Sequence, residues 1–152
     1  MKFKLFYWLL AFIALPLGVF SQNINEDILG CWVVDYDKSI MAMSNKAKDF
    51  MERLPQEGRN NIKTMNEGRR LLLNSDGSFL IKLANGQKSS GTWELEGQEY
   101  LKLISLKGRE KLFLIKELKT NVLVIENQGE TRGVSKLISI WSFIKCENNE
   151  QK

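Results

Sequence analysis

The chain has 152 residues, 43% apolar and 26% charged, with a net charge of +4 and no histidine. That size fits one domain with its own core, and the missing histidine removes the commonest general base and the commonest metal ligand together. No basic block of the kind that follows a phosphate backbone occurs, so nucleic acid is excluded as a partner and no cofactor or metal is expected.

Met1, Lys2, Phe3 and Lys4 form a short positive segment, and an uncharged run follows from Leu5 through Phe20. Val19-Phe20-Ser21 then places small or aliphatic residues where a signal peptidase reads them, so residues 1–21 read as a cleavable export signal. The run is shorter than the roughly 20 apolar residues that cross a bilayer and holds Pro16, which argues against a retained anchor. Ile28-Leu29-Gly30-Cys31 has the look of a lipidation box, but Asn23, Asn25, Glu26 and Asp27 separate it from the apolar run. The mature chain is therefore expected in the periplasm or outside the cell, with no stable membrane anchor.

Residues 22–28 read as a loose polar leader. Leu29–Tyr36 reads as the first strand. Ala47, Phe50, Met51 and Leu54 then recur at helical spacing, and Pro55 suits the first residue of a second helix. One or two short helices are predicted over about 40–66. From Gly68 onward short strands alternate with turn signals: 69–74, 78–84, 91–96, 100–106, 111–118, 122–126 and 135–145. Asn85-Gly86 between two of them predicts a two-residue type I′ hairpin, in which both central residues need positive φ. Residues 147–152 read as a disordered tail.

Eight strands joined by short turns argue a meander. An open meander would leave two unpaired edges, so closure into an eight-stranded antiparallel up-and-down barrel is expected. Closure sets the start of the first strand beside the end of the last, which is where Cys31 and Cys146 lie. In an oxidising compartment those two thiols are a natural disulfide pair.

Leu29-Gly30-Cys31-Trp32 resembles the G-x-W signature of lipocalins. Asn74-Ser75-Asp76-Gly77-Ser78-Phe79, followed by Gly91-Thr92-Trp93-Glu94-Leu95, is similar to paired segments of bacterial lipocalin-like domains. The resemblance covers roughly residues 28–146 and implies a small mainly β barrel that binds rather than catalyses. It implies that Trp32 packs across one end of the barrel, with Gly30 allowing the close approach. It also implies that Gly30, Trp32, Asp76, Gly77, Gly91 and Trp93 are the structural motif. No arginine lies near the end of the last strand to stack on Trp32; Lys145 is the only basic residue there.

Function has two readings at this level. A small apolar or amphipathic molecule inside the barrel would be met by Phe79, Ile81, Trp93, Leu95, Leu101 and Leu103, and would need a cavity of about 300 Å³ or more. Alternatively the interior is solid and the domain docks an envelope protein through its helical insert or a sheet face. Trp32, Trp93 and Trp141 either line a pocket or fill the core. Met41, Met43, Phe50, Met51 and Leu54 are either a mobile lid or an ordinary packed helix. Glu94 and Glu96 lie opposite Trp93 and Leu95 and read as solvated. Arg69 and Arg70 either meet an anionic head group at the rim or end a strand in solvent. No nucleophile–base pair can be assembled, so an enzyme is not expected.

Overall fold

The structure, a computed structural model, describes residues 24–129 and 137–146. The expected signal at 1–21, the start of the polar leader, the first residues of the predicted last strand and the tail at 147–152 lie outside the described residues. In chain order the elements are α1 (Ile24–Asp27), β1 (Gly30–Val34), α2 (Tyr36–Met41), α3 (Asn45–Arg53), α4 (Gln56–Asn66) and β2 (Arg70–Leu73). They continue with β3 (Ser78–Lys82), β4 (Lys88–Glu96), β5 (Tyr100–Ser105), β6 (Glu110–Lys119), β7 (Val122–Asn127) and β8 (Ile140–Lys145).

The strands form one closed barrel in sequence order, and every neighbouring pair is antiparallel. Closure comes from β1 against β8, with Trp32 opposite Lys145 and Val34 opposite Phe143. The Cys146 N–H donates to the Cys31 carbonyl (2.9 Å), and the two cysteines form a disulfide with their Cα atoms 5.3 Å apart. The core is one contiguous cluster of inward side chains, among them Trp32, Leu73, Leu101, Leu123 and Ile125.

Three helices, rather than one or two, join β1 to β2. The additional one, α2, starts because the Asp35 carboxylate accepts from the Lys38 N–H (3.1 Å) and caps the helix. That cap ends β1 at Val34, where the sequence pattern carries it on to Tyr36. Fully buried Ser39 then ties α2 to the outside of β8, its hydroxyl donating to the Asp35 carbonyl (2.8 Å) and accepting from the Ser142 N–H (3.0 Å). Ser44 caps α3 through the Ala47 N–H (3.3 Å), and Pro55 sits one position ahead of α4 rather than inside it. The leader also differs from expectation. Its last residue, Ile28, is 0% exposed in the core cluster, and its carbonyl accepts the Trp32 indole N–H at 2.8 Å.

The Asn85-Gly86 hairpin is not a two-residue turn. The Leu83 N–H donates to the Gln87 carbonyl (2.9 Å) and the Gly86 N–H to the Leu83 carbonyl (3.0 Å), which makes a three-residue loop with Gly86 at φ +83. The same hydrogen-bond pair recurs at Asn74–Ser78 and Ser105–Arg109, with Gly77 and Gly108 at the third loop position. A type I turn followed by one left-handed residue matches strand twist as well as the type I′ alternative does, and it needs only one glycine. The dipeptide marks the turn without fixing its length.

Candidate functional site

Up-and-down connectivity sorts the loops to two ends. At one end lie the start of β1, the β2–β3, β4–β5 and β6–β7 turns, and the end of β8. At the other lie α2–α4, the β3–β4 and β5–β6 turns, and the link from β7 to β8.

The first end is sealed. Trp32 is 0% exposed, and the Lys145 ammonium lies 4.1 Å from its ring centroid. That ammonium also donates to the Leu29 carbonyl, while burial lowers the Lys145 pKa and the nearby Asp27 charge partly restores it. Lysine therefore takes the stacking position for which the resemblance suggested arginine. Gly30 sits at φ +108, a conformation that favours glycine, and a Cβ there would press on the Lys145 side chain at 3.3 Å.

The remaining motif residues brace the same end. Asp76 accepts from the Ser78 N–H (2.8 Å) and hydroxyl (2.6 Å), and these bonds hold its carboxyl below the usual range. The Trp93 indole donates to the Asn74 carbonyl (2.9 Å) and its backbone N–H to the Gly77 carbonyl (2.8 Å), stapling β4 over the β2–β3 turn. Gly91 lets β4 and β5 approach closely: a Cβ there would lie 1.9 Å from the Ile104 carbonyl oxygen.

The second end holds a cleft in the barrel mouth, walled by side chains of six strands. Leu71, Ile81 and Leu103 line one part, Phe113, Ile125, Trp141 and Phe143 another, and Arg69, Lys111 and Asn127 bring polar groups to it. Its enclosed volume is about 20 Å³, room for one water molecule. The core cluster packs below it, and at about 20 Å³ the cleft is far smaller than the cavity that the first reading asked for. Of the six residues expected around a ligand, Ile81 and Leu103 line the cleft. Phe79, Leu101, Trp93 and Leu95 instead pack in or against the core below it.

The two rim arginines separate. The Val34 N–H donates to the Arg69 carbonyl (2.8 Å), which sets Arg69 in register with inward Val34, and its guanidinium lies 4.7 Å from the Trp141 ring centroid. Burial lowers its pKa to about 10. Arg70, the next residue, is opposite Val33 and Lys82 on the outer face. Lys111 is opposite inward Leu103, and its pKa is lowered by burial first and then by the charges of Arg69 and Arg109. Sequence reading left Leu71, Lys111, Phe113, Ile125, Asn127 and Phe143 out of the site. The parity of Lys111 with Phe113 and Ile115 was the available signal, a lysine on the inward phase of a strand.

No residue of α2–α4 lines the cleft. Met43 and Ala47 belong to the core cluster, whereas Met41 is 71% and Phe50 50% exposed. Glu94 and Glu96 face outward and, with Glu110, surround the Lys102 ammonium at 3.3, 3.1 and 3.7 Å.

No protein-family model matches the sequence, and no curated protein matches it. Among solved structures, the chain is similar to the crystal structure of a DUF4847 family protein from Bacteroides vulgatus. The two share 18% identity with a TM-score of 0.48, over 84% of this chain and 99% of that one.

Proposed function

We propose that this chain is an exported, lipocalin-like binding protein that takes a small apolar or amphipathic molecule in the mouth of its barrel. The observation that carries the reading is the cleft itself: an apolar and aromatic wall with a few convergent polar groups, at the end opposite a sealed base. Export is supported by the Cys31–Cys146 bridge and by the signal-like residues 1–21. A binding rather than catalytic role is supported by the lining, in which no nucleophile and general base meet among the described residues.

The cleft as it stands has room for about one water molecule, so a ligand's body must lie across the open mouth and part the wall side chains, and it is short. Each methylene that enters apolar surroundings contributes about 0.8 kcal/mol, so affinity along a chain-length series rises until the mouth is full and then levels. Native mass spectrometry of the protein purified from its own host's exported fraction tests the reading. Extra mass that is lost on denaturation supports it; a bare polypeptide, together with no response to any short amphipath, removes it.

One observation favours docking as a second reading. Met41, Phe50 and Met65 on the helical link are 71, 50 and 40% exposed, which gives an envelope partner apolar surface to cover. A photo-crosslinker at Phe50 that captures one discrete adduct in the intact host would favour it.

A further inference from the structure

An inward-pointing cation in an apolar barrel mouth opposes folding unless something negative answers it. Arg69 and Lys111 both line the cleft, from opposite sides of the barrel sequence, and no acidic side chain lines it among the described residues. Neither cation forms an ion pair with a described carboxylate. Arg69 rests on the Trp141 ring instead. The outer face is arranged in the contrary way: there Lys102 alone is answered by Glu94, Glu96 and Glu110. Among the described residues, counter-charge is thus gathered on the outer face, while the cleft holds half-buried Arg69 and exposed Lys111 with no carboxylate in its lining.

From this juxtaposition we infer that Arg69 and Lys111 form a head-group site for a small amphipathic anion, a carboxylate or phosphate carried on a short apolar body. The head lies between the two cations, within reach of the Asn127 amide. The body lies against Leu71, Ile81 and Leu103 on the cleft wall. Arg69 presents a planar fork that suits two oxygens at once, and Lys111 supplies a point charge. Burial depresses both cations' pKa values in the free protein, with the Arg69 charge adding to it at Lys111, and an anion relieves both effects when it arrives. The inference rests on the binding reading above and names the chemistry of its ligand.

The test is a titration of the exported protein, followed by the Trp141 indole proton resonance, with hexanoate, hexyl phosphate, 1-hexanol and inorganic phosphate as probes. Arg69→Met and Lys111→Met are measured beside the parent, each first checked for native near-ultraviolet dichroism. One or both hexyl anions are expected to shift Trp141, with 1-hexanol at least about 10-fold weaker. Each variant should lose about fivefold or more in anion affinity while leaving 1-hexanol unchanged. The preferred anion then names the head group. Equal binding of 1-hexanol and hexanoate, indifferent to both variants, would overturn the head-group site and leave the apolar cleft standing. Inorganic phosphate binding as tightly as hexyl phosphate would overturn the amphipathic part. Silence at Trp141 with all four probes would overturn the binding reading together with this one.

Discussion

Trp32 and Gly91 show how single residues of the recurring motifs act, and in both cases the action is on stability. Trp32 is wholly buried, donates to the Ile28 carbonyl and lies under the Lys145 ammonium. Trp32→Ala should lower stability by about 3–5 kcal/mol in urea unfolding. Lys145→Met keeps most of the packing and should lose about 1 kcal/mol, the scale of a partly desolvated cation–π contact. Gly91→Ala drives a Cβ into the Ile104 carbonyl, so β4 and β5 must part; a loss of about 3 kcal/mol or a failure to fold is expected on expression. Gly86→Ala, at an open turn with no neighbour within 4 Å, should cost only the strain of its positive φ.

The strands and helices divide the barrel into a braced end and an open end. Disulfide, indole staple and buried Ile28 all gather where β1 starts and β8 stops, and the cleft opens where the helical link joins. The Cys31–Cys146 bridge closes a span of 115 positions, so replacing both cysteines by serine should cost about 3–5 kcal/mol. Chemical denaturation of the oxidised and Ser/Ser proteins measures it. If the bridge braces only the sealed end, binding of hexanoate at the other end should survive in the Ser/Ser protein wherever it is still folded.

For the molecule as a whole, the proposed head-group site would set stability against binding. Arg69 has a folded pKa of about 10, well below the ordinary arginine range, because burial disfavours its charge. Its burial therefore opposes folding fully below pH 10, and the opposition is relieved as pH climbs from 10 toward that range. Arg69→Met should accordingly raise the unfolding free energy at neutral pH, by about 1 kcal/mol after the lost contact with Trp141 is allowed for. The same variant should bind anions less well, a pairing of gains and losses that a merely structural arginine would not produce. Anion affinity of the parent should be level through neutral pH and fall as pH passes about 10, where Arg69 gives up its proton. The groups facing it, Lys111 and beyond it Arg109, are themselves cations, and no carboxylate among the described cleft residues raises that midpoint.

Barrel closure, strand order and the cysteine pairing were legible from the residues, because alternation, turn glycines and the hazard of open edges are local or purely topological. Gly30 and Trp32 were legible as an end-closing pair only through the resemblance of Leu29-Gly30-Cys31-Trp32 to the lipocalin G-x-W signature. Strand limits, turn lengths and the third helix were not, since Asp35 capping and the one-glycine loops depend on which competing hydrogen bond wins. The cleft needed the tertiary structure most. Arg69 and Arg70 are neighbours of identical chemistry, and only register sends one into the mouth and the other to the outer face. Lys111 is 42 positions from Arg69 in the chain, and it reaches the same cleft because six strands bring their inward phases to one end. Whether aromatic side chains leave a cavity or fill one is likewise a matter of summed volumes inside a closed wall, which no periodicity records.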